Sequence, residues 1–65
     1  MIEDLRQEIL KSRLNKNIDH ETHQCLYNLW FILLRQNDES DKWKRHLSQH
    51  CLEKVNKYLQ SINFK

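Results

Sequence analysis

Four histidines and two cysteines fall into two groupings that could do chemistry. One is His20-x2-His23-x-Cys25. The other is His46-x3-His50-Cys51. Spacings of three and four put ligands on one face of a helix, as metal sites require. His23, Cys25, His50 and Cys51 are therefore the metal candidates, and four zinc ligands are conceivable. Neither grouping has the paired-cysteine knuckle of the common zinc sites. Both cysteines also continue apolar stripes, where a free thiol behaves as a small hydrophobe. A Cys–His nucleophile pair would need a cleft and a third, orienting group. A short helical chain offers little concavity, so no enzyme, metal or cofactor is expected. Gly and Pro are absent, which excludes phosphate-cradling glycine loops and dinucleotide fingerprints.

The elements that must position these residues read as helices joined by Asn/Asp/Ser connections. Ile2, Leu5 and Ile9 make a helical stripe with Leu10 and Leu14 beside it. Glu3 and Asp4 at its start and Lys11 and Arg13 near its end suit the helix dipole. The first helix is expected over about residues 2–14. Asn15 and Asn17 flank its stop, the residue type next to Gly in tolerating a left-handed end. Asn17 or Asp19 can cap a second helix over about 19–36. Asp38 or Ser40 can cap a third over about 40–62, with a stripe of Trp43, Leu47, Cys51, Val55, Leu59 and Ile62 and with Tyr58 adjacent. The fold class is all-α, a single small three-helix domain over 1–65. Helices 2 and 3 are read as an antiparallel hairpin, and the domain as dimeric. Folding the hairpin near residue 38 brings Cys25 level with Cys51 and Leu29 level with Leu47.

The second helix carries the strongest signal. From Cys25 to Leu34 only Asn28 is polar. A helix in a two-layer protein buries one stripe and turns the other side to water. Here that other side would expose Tyr27, Trp30, Phe31 and Leu34. So much apolar surface calls for a protein partner, either a second copy or a different molecule. The apolar run is too short to cross a bilayer. Met1-Ile2-Glu3-Asp4 is acidic and has no long apolar core, so no signal peptide is expected. Two cysteines cannot staple a secreted scaffold, and the chain reads as cytoplasmic with reduced thiols.

Charge is uneven. Residues 1–39 carry seven acids and five Lys/Arg, and residues 40–65 carry two acids and six Lys/Arg. The halves stand at −2 and +4. The basic end supplies a second reading, direct nucleic-acid binding through Lys42, Lys44, Arg45, Lys54 and Lys57 beside Trp43. No helix-turn-helix is evident to present that patch.

The order Leu29-Trp30, an acid-rich break, Trp43, Lys44-Arg45 and then Cys51 resembles the AraC negative regulator (ANR) family and related PerC-like small proteins of enterobacteria. The likeness covers about residues 26–55. The family's Ala pairs before its Leu-Trp stand as Leu26 and Tyr27 here, and the arginines usual near the Cys are replaced by Leu47-Ser48-Gln49-His50. The glycine usual before the first helix is missing. The resemblance implies a cytoplasmic bacterial repressor of virulence regulation. Such proteins bind AraC-type transcription activators and block their dimerisation or DNA binding, and some engage nucleoid-associated silencers.

Overall fold

Apolar residues at helical spacing, acids in the first turn and a basic residue in the last produce α1, Ile2–Ser12. The computed structural model describes residues 2–64, so Met1 and Lys65, at the ends of the expected 1–65 domain and of its acidic start, lie outside the described residues. The helix ends two residues short of expectation. Its last turn tightens through bonds from Arg13, Leu14 and Asn15 N–H to carbonyls three residues back. Leu14 falls past that end and is 85% exposed. Asn15 and Asn17 do not turn left-handed, because the positive φ among the described residues belongs to Asn63. Asn15 instead accepts from the Asn17 N–H through its side chain and meets His23 Nε2 through its carbonyl.

The second helix, α2, is His20–Arg35. Asp19 caps it, taking the Thr22 N–H and the Thr22 hydroxyl on its two carboxylate oxygens. Cys25, Leu26, Leu29 and Leu33 are buried along one side. The C-terminal carbonyls are met from α1, where the Arg6 guanidinium donates to Leu33 O at 2.5 Å and Gln36 O at 2.8 Å. A cation at a helix C-terminus satisfies orphan carbonyls and opposes the dipole together.

The expected third helix is two helices. The short α3, Trp43–His46, is separated by Leu47 and Ser48 from α4, Gln49–Ser61. Leu47 has extended backbone, and Ser48 caps α4 by accepting the Cys51 N–H. A serine that can cap competes with its own helical conformation, and here the cap wins. Neither Asp38 nor Ser40 caps α3. The Ser40 N–H and hydroxyl both donate to the Asp38 carboxylate, closing a turn before it. The break re-phases the stripe. Trp43, Val55 and Tyr58 are buried, Leu47, Cys51 and Leu59 are partly buried, and Ile62 is exposed. The chain leaves α4 through left-handed Asn63, with Phe64 N–H bonded back to Leu59 O. In a chain without glycine, Asn takes the helix-ending position.

All the described elements are helical, and α2 packs against α1, α3 and α4. The core is Ile2, Leu5 and Ile9 from α1, the buried side of α2, and Trp43, Val55 and Tyr58. Cys25 and Cys51 are joined as a disulfide with Cα atoms 5.0 Å apart. That replaces the expected pair of free thiols, because a spacing of about 4.4–6.8 Å lets two cysteines bond. No described helix is long and apolar enough to cross a membrane.

Candidate functional site

The side of α2 away from its buried stripe is a ridge of large apolar side chains. Tyr27, Phe31 and Leu34 follow at helical spacings of four and three. They are 51%, 46% and 53% exposed. The Tyr27 and Phe31 rings meet edge to face, with centroids 4.8 Å apart. Aromatic pairs of this geometry attract beyond their buried area, so the ridge is internally ordered while open to solvent. Trp30 lies elsewhere. It is half-buried and packed against the core, so its indole serves as wall more than as ridge.

Two grooves flank the ridge, and Phe31 lines both. The first, of about 560 Å³, runs between α1 and α2. Ile9, Leu26 and Trp30 line its apolar part, and Arg13, His20 and His23 line it as polar groups. The second, of about 570 Å³, lies past the C-terminal half of α2, with Ile32, Arg35, Lys42 and His46 among its lining residues. Sequence reasoning placed Tyr27, Trp30, Phe31 and Leu34 together on the exposed side, of which Trp30 is half-buried, and passed over the groove-lining Arg13 and Arg35.

The metal candidates do not converge. Cys25 is bonded to Cys51, His50 Nε2 meets the Glu21 carboxylate, and His23 Nε2 lies 3.0 Å from Asn15 O. Among the described residues no group of three His, Cys, Asp or Glu is placed to hold an ion. The basic candidates are spread and largely engaged. Lys42 pairs with Asp38 at 3.4 Å, Lys44 with Asp41 at 3.7 Å and Lys54 with Glu21 at 3.9 Å. Lys44 also stands 5.5 Å over the Trp43 ring. Arg45 and Lys57 are exposed on different helices. Neighbours shift a few ionisable groups. The Ser40 bonds hold Asp38 below the usual carboxylate range, and hydrogen bonds from Gln7 and Arg6 do the same for Glu3. Burial, with Glu8 adding, raises the Tyr58 phenol, which stays neutral.

Searches against protein-family models, curated proteins and solved structures return no match to the chain.

Proposed function

We propose that the protein is a non-enzymatic transcriptional regulator that works by docking. The α2 ridge of Tyr27, Phe31 and Leu34, backed by Trp30, binds a helical or linker segment of an AraC-type activator in the bacterial cytoplasm and inhibits it. The observation that carries docking is the ordered, half-exposed aromatic pair between two grooves. The AraC-type partner and its inhibition come from the family resemblance of residues 26–55. Helices 2 and 3 are taken as an antiparallel hairpin, with α3 and α4 together as its second arm. Self-association through the same belt is the competing use of this surface.

The test is titration of purified protein into purified AraC-type activators of its source bacterium, by calorimetry and sedimentation. Phe31→Ala should keep the fold and weaken binding by about 2 kcal/mol, roughly thirtyfold. Binding unaffected by Phe31→Ala, yet lost on reversing Lys42, Lys44 and Arg45, would transfer the function to the basic face. The cytoplasmic setting has a condition of its own. A stable disulfide belongs to oxidising compartments, so Cys25 and Cys51 must be thiols in growing cells. Maleimide trapping that finds the pair fully oxidised there overturns the cytoplasmic placement.

A further inference from the structure

The charges around the α2 ridge are one-sided. Arg13 lines the first groove, and Arg35 and Lys42 line the second. The one carboxylate among the lining residues of either groove is Asp38, and Lys42 already pairs with it at 3.4 Å. Arg13 and Arg35 are exposed, and among the described residues no carboxylate lies within ion-pair distance of them. His20, His23 and His46 add further nitrogen donors to the linings. An apolar ridge is thus bracketed by Arg13 and Arg35, two cations with no counter-charge within ion-pair distance among the described residues.

Resting on the docking reading above, we propose that the partner segment is an acidic amphipathic helix. Its apolar side chains enter the grooves on either side of Phe31, and its flanking carboxylates meet Arg13 and Arg35. Shape favours a helix. Tyr27 and Phe31 form a ridge at four-residue spacing, and such ridges seat between the ridges of a second helix. Side chains at i, i+3, i+4 and i+7 of that helix would reach the two grooves that meet at Phe31. Length agrees as well, because the 16 residues of α2 extend about 24 Å, enough for roughly four turns of partner. Charge selects the acidic kind. Arginine binds a carboxylate through two parallel donors, and two such contacts outside an apolar centre fix orientation and register. The same charges disfavour a second copy. A two-fold interface would place this surface against itself and bring like cations together.

The experiment uses the full chain and two labelled synthetic peptides, read by fluorescence anisotropy. Both peptides are about four turns long with leucine at the i, i+3, i+4 and i+7 positions. One carries glutamate on its flanks and the other lysine. The glutamate peptide should bind at least about tenfold tighter at low salt, and the preference should shrink at high salt as screening grows. Arg13→Glu with Arg35→Glu should reverse the preference, with melting temperature confirming the fold. Phe31→Ala should weaken both peptides equally. Equal binding of the two peptides overturns the acidic partner and leaves docking standing. Binding of neither peptide, with activator binding still sensitive to Phe31→Ala, overturns the helical-peptide form alone. Loss of that activator binding as well overturns both readings. Tighter binding to duplex DNA or to anionic lipid vesicles than to the glutamate peptide also overturns the inference.

Discussion

The two sides of α2 are made of similar residues and have different fates. Leu29 and Leu33 are fully buried, and Cys25 and Leu26 nearly so. One to two positions along the same helix, Tyr27, Phe31 and Leu34 are about half exposed. Hydrophobicity alone does not separate the two sets. The supply of covering elements does. α1, α3 and α4 pack against α2, and none of the described helices covers the side that carries Tyr27, Phe31 and Leu34. In a small domain, surplus apolar surface is what the docking proposal above calls on.

The largest test of that contrast is Leu29→Ala. A fully buried leucine lost to a cavity should cost about 3–5 kcal/mol, a large share of a small domain's stability. Urea melts followed by circular dichroism should show the midpoint collapse. An unchanged midpoint would mean that the buried side has been misassigned. Next comes the bond between the core cysteines. Closing a loop of 26 residues' separation constrains the unfolded chain by about 3.5 kcal/mol in the chain-entropy view. Cys51→Ser, or added dithiothreitol, should lower the melting temperature accordingly. A smaller loss is expected from Arg6→Met. Its guanidinium is the side-chain donor to Leu33 O and Gln36 O, and a charged hydrogen bond that is 24% exposed at its side chain contributes about 1–2 kcal/mol. Backbone hydrogen exchange at the end of α2 should accelerate first.

Acid sharpens the picture at the other end of α2. The Thr22 hydroxyl, and then its N–H, hold Asp19 below its ordinary value. A depressed carboxylate stabilises the fold at neutral pH and loses that contribution as pH falls through its folded value. Asp19→Ala should therefore melt below the wild type at pH 7. The gap should close below about pH 4, where the wild-type carboxyl begins to protonate. The smallest effect belongs to the exposed side. Phe31→Ala should shift stability by only about 0.5 kcal/mol while weakening partner binding roughly thirtyfold. If Phe31→Ala unfolds the protein, the contrast between the two sides of α2 is lost.

Much of the fold was legible in local patterns. Ile2, Leu5 and Ile9 recur at helical spacing and are all buried. Asp19 stands where a cap was expected, and the exposed Tyr27, Phe31 and Leu34 follow from a helix apolar on every side. What escaped depends on competition or distance. Ser48 offered α4 a cap and so broke a stripe that periodicity carried straight through Leu47. Arg6 reaches a carbonyl 27 positions away, and nothing in its own surroundings announces that. Glu21 meeting His50 and Lys54 is of the same kind. The cysteine pair was placed at one level, but bonding it depends on an oxidant that no residue encodes. The flanking arginines were invisible because a surface cation becomes informative only when its neighbours are known to lack a counter-charge.

The bond between Cys25 and Cys51 also turns part of the chain into a ring. Inside that ring lie Arg35, Lys42, Lys44 and Arg45, three of them in the turn and short helix between the two long ones. A single tryptic cut at any of these sites adds the mass of one water and releases no fragment. On a gel without reductant the nicked molecule still migrates as one species, and with reductant it parts into two. Cuts at Arg13 or Lys16, outside the ring, shed a piece under either condition. The order in which peptides appear during digestion is thus a direct reading of chain connectivity.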